Sequence, residues 1–376
     1  MKNLSLLIKP ASGNCQMRCR YCFYRNVIQS REVADYGRMS RETLEILVSR
    51  ALAEAEESCT FAFQGGEPTL AGLDFFRFLI DLQEKYRRPS VTIHNTLQTN
   101  GLLLDDDWCD FLARNRFLVG LSLDGDKDIH DANRLDSQGK GTYNRVLQAA
   151  GLLDRHRVEF NILCVVTREL ARRARRIYRS LTANGFRYLQ FIPCIDDFGS
   201  QPGSSSFSLT ADRYAEFLKN LFDAWYLDFQ SGRIISIRHF DNWIRMLQGQ
   251  PPESCGMSGR CSCSAVVEAD GSVYPCDFYV LDRWHLGSIR EQSLTEMLTG
   301  SRATQFVEDS LAIAEKCRQC RYASLCRGGC RRDREPLGNP DARPGGLPNV
   351  YCSAYEQFFD YALERMTRIA ARLPQL

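Results

Sequence analysis

Sixteen cysteines in 376 residues, and the way they are grouped, constrain this chain more than any other feature. Cys15, Cys19 and Cys22 crowd the start. Cys59, Cys109, Cys164 and Cys194 stand alone, and the rest fall between Cys255 and Cys352. A chain of this length buries a large core without covalent staples. Its first residues do not read as a secretory leader, because the apolar stretch Leu4–Ile8 is five residues long and Ser5 interrupts it. The expected compartment is therefore the cytoplasm, which keeps thiols reduced. Grouped cysteines in a reducing compartment argue for metal.

Charge and hydropathy remove several other classes. Lys plus Arg is 48 and Asp plus Glu is 46, a net charge of +2. A dedicated nucleic-acid binder carries a stronger basic excess. The basic stretch Arg168–Arg179 reads as a solvated helix face. With 44% hydrophobic and 25% charged residues the chain is of ordinary globular composition, not a disordered one. No apolar run is long enough to span a bilayer. We expect a protein that acts as a monomer, without nucleic acid and without a membrane.

Between the two cysteine groups, strand and helix patterns alternate. Strands are expected at Leu4–Ile8, Thr60–Phe63, Val91–Thr96, Leu118–Leu123, Glu159–Val166 and Tyr188–Ile192. Helices are expected at Arg41–Glu57, Phe75–Tyr86, Asp106–Asn115, Tyr143–His156 and Leu170–Asn184, with Ser40 capping the first and Gly185 ending the last. Six strands alternating with helices imply parallel βαβ units, fewer than the eight of a closed barrel. A partial barrel and an open sheet both satisfy this α/β pattern. Two more helices are expected between Thr210 and Gln248, the first presenting a core-facing aromatic stripe through Phe217, Phe222 and Trp225. Beyond Pro251 the pattern becomes loop-rich and should build little apolar core of its own. Asp341–Pro348 reads as a surface loop and Tyr355–Arg372 as a terminal amphipathic helix. The expected division is 1–235 and 236–376.

Polar, glycine-rich motifs follow three strands at their C-terminal ends: Gln64-Gly65-Gly66-Glu67-Pro68, Gln98-Thr99-Asn100-Gly101 and Ser122-Leu123-Asp124-Gly125. In parallel α/β folds that edge binds ligands.

The spacing Cys15-x3-Cys19-x2-Cys22 places three thiols within eight residues, just after the first strand. Structural zinc wants four ligands, usually as paired knuckles. Three suit a 4Fe–4S cluster with one iron left open. Here the sequence resembles the radical S-adenosylmethionine (SAM) superfamily, and Tyr21, the aromatic before the third cysteine, fits that signature. The resemblance implies a partial (β/α)6 barrel and SAM chelated to the open iron. It implies SAM contacts from Tyr21, Gln64, Gly65, Gly66, Glu67, Ser122, Arg134 and Ile195, with Ser122 and Arg134 on the carboxylate.

Cys261-x9-Gly271-x4-Cys276, then Cys317-x2-Cys320-x5-Cys326-x3-Cys330, then Cys352, with Cys255 ahead of the set, resembles the SPASM extension of radical SAM maturases. The run from Cys317 to Cys330 alone also suits zinc. The family pattern implies an interleaved arrangement. Cys255, Cys261, Cys276 and Cys330 would hold one auxiliary 4Fe–4S cluster; Cys317, Cys320, Cys326 and Cys352 would hold another. That makes three clusters in all. Cys59, Cys109, Cys164, Cys194 and Cys263 are left as idle thiols, although Cys263, close to Cys261, competes for its role.

Ser5–Ser12, Phe61–Gly72 and Ser272–Val280 look like the anaerobic sulfatase-maturating enzymes, and the likeness runs over essentially the whole chain. It implies oxidation of a Cys or Ser side chain, in a C/S-x-P/A-x-R segment of a sulfatase, to Cα-formylglycine by a 5′-deoxyadenosyl radical. An electron donor such as flavodoxin or ferredoxin is also implied. That chemistry needs a base for the thiol or hydroxyl proton and an acceptor for an electron. The family places its base at Asp277, directly after Cys276, and a carboxylate out of water there suits the task. Tyr24 and Gln98 are expected to meet the substrate. Two rivals stand beside this reading. One is another SPASM peptide maturase that forms thioether or carbon–carbon crosslinks. The other is a non-catalytic Fe–S electron carrier, which leaves the three-cysteine site and Asp277 without a purpose.

Overall fold

Every second residue of the first strand is apolar, and in the computed structural model those residues, Leu4, Leu6 and Ile8, are the buried ones. The structure describes residues 1–335 and 346–373, so most of the loop expected over Asp341–Pro348 lies outside the described residues. Among the described residues ten strands form: β1 (Asn3–Ile8), β2 (Ser58–Phe63), β3 (Thr92–Thr99), β4 (Leu118–Ser122), β5 (Phe160–Val166), β6 (Tyr188–Pro193), β7 (Ser236–Ile237), β8 (Ala265–Val267), β9 (Ser272–Tyr274) and β10 (Gly287–Ser288). The chain divides into two compact units, neither contiguous in sequence. One is Met1–Ser122, Arg134–Phe160 and Cys263–Phe306. The other is Leu123–Asn133, Asn161–Ser262 and Val307–Leu376.

In the first unit β1 to β4 are parallel and adjacent, with Leu6 opposite Phe61, Phe61 opposite Asn95, and Leu97 opposite Val119. The face carrying Leu6, Phe61, Phe63, Leu97, Val119 and Leu121 is buried. Its helices cover it: Arg41–Glu54, Leu73–Lys85, Asp106–Arg114 and Tyr143–Arg155. Each such side chain contributes about 1.5–3 kcal/mol by leaving water. Asn95 is the polar exception, and its amide exchanges two hydrogen bonds with Gln83, at 2.8 and 3.0 Å. The opposite face is small and polar, with Thr60, Ala62, Thr96, Gln98 and Gly120 only half-buried. A sheet face lined this way leaves room for a ligand. Ser40 caps its helix as expected, accepting from the Thr43 amide.

β8 extends this sheet on the other side of β1, parallel, with Leu6 opposite Ala265, and β9 and β10 follow antiparallel. This segment departs from the sequence expectation. Tyr279, Trp284, Leu294, Met297 and Phe306 are buried, and the Phe306 ring lies 5.2 Å from Tyr279 and 5.0 Å from Trp284. The region beyond Pro251 thus does carry an apolar core. Turns and short helices such as Leu294–Thr299 supply it, too short to show a period.

The second unit holds β5, β6 and β7, parallel, with Cys164 opposite Phe191 and Leu189 opposite Ile237. Helices Ala211–Gln230, Arg238–Leu247 and Cys352–Arg372 pack on one another through Phe222, Phe240, Trp243 and Phe358. The aromatic stripe is core, as its spacing indicates. The helix expected over Leu170–Asn184 is two pieces, Arg168–Ala171 and Ala174–Ala183. The apolar period runs unbroken through Leu170, Ala174, Ile177 and Leu181, so nothing in the sequence marks the break. The arginines there pair with acids: Arg172 and Arg173 with Glu169, Arg175 with Asp223, and Arg176 with Asp126 and Asp128.

Candidate active site

Two of the three polar turns expected at the strand ends, Gln64–Pro68 and Gln98–Gly101, lie in the first unit, while the third has only Ser122 there. After β1 the chain runs through Lys9 and Pro10 into the loop bearing Cys15, Cys19 and Cys22, and Cys22 starts the helix Phe23–Gln29. The loop is held from several sides. Arg18 N donates to Leu135 O at 2.7 Å, and Asn100 Nδ2 lies 3.6 Å from the Cys15 sulfur. Cys15 has an open side, yet surrounding protein pushes its thiol up to about 12, chiefly by desolvation. Cys22 is pushed up for the same reason. Three soft thiols in one loop, none of them in a disulfide, fit a thiolate-bound cluster that takes their protons on binding.

The turn after β2 interlocks with that loop. Gly65 and Gly66 both have positive φ, 86° and 49°. A Cβ on Gly66 would lie 2.2 Å from the Asn14 carbonyl oxygen, and one on Gly65 would lie 2.7 Å from Lys9 Cγ. Only glycine permits this approach. Glu67 N donates to Asn14 O at 2.7 Å. The Glu67 carboxylate is fully buried and already occupied. Its Oε1 accepts from Thr69 N, Thr69 Oγ1 and Thr99 Oγ1, and its Oε2 accepts from Asn100 N at 2.8 Å. Burial pushes this carboxyl up, while those donors pull it back. The Glu67 side chain therefore ties the β2 turn to the end of β3, and the turn's backbone is what remains for a ligand.

Asp277 opens the short turn Asp277–Tyr279 after Cys276. Its Oδ2 accepts from Tyr24 Oη at 2.6 Å and from Gln64 Nε2 at 2.9 Å, and Gln64 Nε2 also donates to Tyr24 Oη at 2.9 Å. Burial pushes the Tyr24 hydroxyl well up, and the Asp277 charge adds to it. Thus Tyr24, Gln64 and Asp277, three residues singled out from the sequence, form one hydrogen-bonded triangle. Lys9 and Glu268 were not singled out. Lys9 Nζ lies 3.2 Å from Asp277 Oδ1 and 3.9 Å from Glu268 Oε1, and Arg31 binds Glu268 at 2.7 Å. Elsewhere in this unit Ser122 ends β4, and Arg134 is buried with its guanidinium 5.5 Å from the Tyr21 ring centre. Gln98 lies on the half-buried sheet face. Ile195 belongs to the second unit, just after β6.

In the second unit Cys317, Cys320, Cys326 and Cys352 line one recess with Tyr322, Tyr355 and Phe359. Burial pushes Cys326 up to about 11. Four thiols around one hollow walled by aromatic rings suit a fully ligated cluster. Cys255, Cys261 and Cys330 also belong to this unit, where the Gly256 backbone packs on Cys330. Cys276 belongs to the first unit, as does Cys263. Cys59, Cys109, Cys164 and Cys194 are buried, as idle thiols would be.

A parallel α/β sheet with an open three-thiol loop, followed by a second cysteine-rich segment, defines a radical SAM enzyme with a SPASM extension. Residues 10–181 match the Radical SAM superfamily, and residues 255–321 match SPASM, the iron-sulfur cluster-binding domain. The chain is 48% identical to the cysteine-type anaerobic sulfatase-maturating enzyme of Clostridium perfringens (strain 13 / Type A), over 98% of this chain and 99% of that protein. It is 32% identical to the serine-type anaerobic sulfatase-maturating enzyme of Klebsiella aerogenes, over 94% and 84%. Among solved structures, native anSMEcpe with bound AdoMet and Cp18Cys peptide superposes with a TM-score of 0.94 at 47% identity, over 99% of this chain and 100% of that one. Streptococcus suis SuiB bound to precursor peptide SuiA shares the fold alone, with a TM-score of 0.63 at 16% identity over 93% and 76%. The chain belongs to the anaerobic sulfatase-maturating enzymes.

Proposed function

We propose that this chain oxidises a cysteine in a C/S-x-P/A-x-R segment of a sulfatase to Cα-formylglycine. The observation that carries this reading is its full-length likeness to cysteine-type maturases, at 45–48% identity, against 32% for a serine-type one. Cys15, Cys19 and Cys22 would hold the cluster that, when bound, supplies the electron for cleaving SAM and so the 5′-deoxyadenosyl radical that takes hydrogen from the target Cβ.

The chain's own residues do the rest. The Gly65–Gly66 backbone takes the SAM amino group, and Ser122 and Arg134 take its carboxylate, a planar fork suiting Arg. Tyr21, Gln64, Glu67 and Ile195 complete that site. After hydrogen-atom loss the cysteine must still give up one proton and one electron to become a thioaldehyde, which water converts to the aldehyde with release of hydrogen sulfide. Asp277 accepts the thiol proton. Tyr24 and Gln98 meet the peptide, and Tyr24 with Gln64 orients the Asp277 carboxylate. Cys255, Cys261, Cys276 and Cys330 would hold one auxiliary cluster, and Cys317, Cys320, Cys326 and Cys352 the other; the first set adjoins Asp277 in sequence through Cys276, and a cluster held there would accept the electron. An electron donor such as flavodoxin or ferredoxin serves the enzyme, which acts as a cytoplasmic monomer without nucleic acid. The ion-paired arginines of Arg168–Arg179 support that last point, and among the described residues no helix is long and apolar enough to cross a membrane. Residues 1–235 carry the SAM chemistry and 236–376 the auxiliary thiols.

The test is anaerobic. Reconstituted protein, SAM, reductant and a peptide containing C-T-P-S-R should give the mass change of CH2SH to CHO. Asp277→Asn should still form 5′-deoxyadenosine but lower aldehyde yield by about 100-fold or more, within the range of a lost general base. SAM cleavage that leaves this peptide unchanged would move the wild-type enzyme to another peptide substrate. Undiminished aldehyde from the variant would remove Asp277 from its role.

A further inference from the structure

Lys9 is a lysine that the reaction outlined above does not use, and it is almost completely buried at the end of β1. A buried ammonium persists only with partners. Lys9 has two carboxylates, and they are not equivalent. Glu268, fully buried, is bound by Arg31 at 2.7 Å and lies 3.9 Å from Lys9 Nζ. Asp277 lies nearer, at 3.2 Å. Arg31 thus satisfies Glu268, and the Lys9 charge is left for Asp277. The other two donors to Asp277, Tyr24 and Gln64, are neutral and both reach Oδ2. Lys9 alone among these three reaches Oδ1. Its ammonium also lies 4.6 Å from the centre of the Tyr24 ring, so one cation braces two members of the triangle. The lysine stem is in turn pinned by the close-packed Gly65 backbone.

We infer that Lys9, backed by Glu268 and Arg31, is a positioning residue for the peptide oxidation: it fixes the plane and place of the Asp277 carboxylate. The inference rests on the assignment of Asp277 made above. A carboxylate held by neutral donors on one oxygen can swing about its Cβ–Cγ bond. A cation on the other oxygen stops that, and misplacement of a reacting group by about 1 Å costs on the order of 100-fold in rate.

Lys9→Met keeps the stem on which Gly65 rests and removes the charge. Lys9→Arg restores a cation at the cost of different geometry. For each variant the readouts are 5′-deoxyadenosine formed, aldehyde formed, the midpoint of thermal unfolding, and peptide affinity by fluorescence anisotropy. We expect Lys9→Met to cleave SAM at a near wild-type rate, to bind peptide as wild type does, and to yield about ten-fold less aldehyde per 5′-deoxyadenosine, a fraction of the full positioning effect. Lys9→Arg should recover part of that ratio. A wild-type ratio in Lys9→Met would overturn the inference. So would a loss of SAM cleavage or peptide affinity parallel to the loss of aldehyde, or an equal loss in Lys9→Arg with its unfolding midpoint unchanged. Asp277→Asn, run alongside, separates the two ideas. If it makes aldehyde normally, the base assignment fails. If it fails while Lys9→Met behaves as wild type, only the positioning role falls.

Discussion

Asp277 draws its partners from three distant stretches of chain, and they differ in how legible they were. The thiols and Asp277 itself are readable because their spacing is dense and chemically specific. Tyr24 is 253 positions from Asp277, yet its place beside the third cysteine marked it. Lys9 carried no such mark: a single lysine after a strand has no period and no motif partner, and Asp277, the nearer carboxylate that offsets its buried charge, lies far along the chain. Tyr24→Phe tests the triangle at this scale. It removes one donor from Oδ2 and leaves Gln64 in place. We expect about 1 kcal/mol of lost stability, the net worth of one hydrogen bond. Aldehyde yield should fall more than SAM cleavage does, and equal declines in the two would show that Tyr24 acts on the fold and not on Asp277.

Among the elements, helix Arg238–Leu247 carries two groups that titrate in opposite senses. Asp241 sits in its first turn, where the helix end favours a carboxylate by about 0.3–1 kcal/mol. Burial outweighs this and raises its pKa from 3.8 to about 6. The folded state then holds the proton longer than the unfolded chain, so this group's contribution to stability is lost as pH rises from about 4 to about 6. Burial lowers His239 from 6.5 to about 4, and that contribution is gained as pH rises over nearly the same interval. Each amounts to about 3 kcal/mol at most. Between about pH 5 and 6 these two contributions offset each other, while Asp333, raised by burial from 3.8 to about 6, adds a further fall. Relative to wild type, Asp241→Asn should tilt the slope of stability against pH upward, and His239→Phe should tilt it downward. Urea unfolding across that range reads the slopes, and tilts of the same sign in both variants would refute the pairing. At this scale the six long parallel strands and most helices were legible from period and caps. The break between Ala171 and Ala174 was not, because the apolar stripe crosses it. Short helices such as Lys127–Asn133 and Leu294–Thr299 were not, because a turn or two shows no period.

For the molecule as a whole, the feature hidden from the sequence is that its compact units are assembled from separated stretches. A linear reading divides the chain once, whereas β8 returns to pair with β1 and brings Asp277 with it. Only a pairing register carries that information, and a three-residue strand is too short to announce one. The auxiliary thiols make a prediction at this scale. Cys320→Ala should lower bound iron from about twelve to about eight per chain while SAM cleavage persists, because each four-iron cluster needs its own set of thiolates. Iron and sulfide analysis after reconstitution checks this, and an unchanged iron content would exclude Cys320 as a ligand. The recess itself sets an order of manufacture. Cys317, Cys320 and Cys326 leave the ribosome before the described helix that begins at Cys352, and the hollow has its fourth thiol only once that helix has docked. Loading of that hollow is therefore a late step in the life of the nascent chain, and a ribosome stalled ahead of Cys352 would release a product one thiol short.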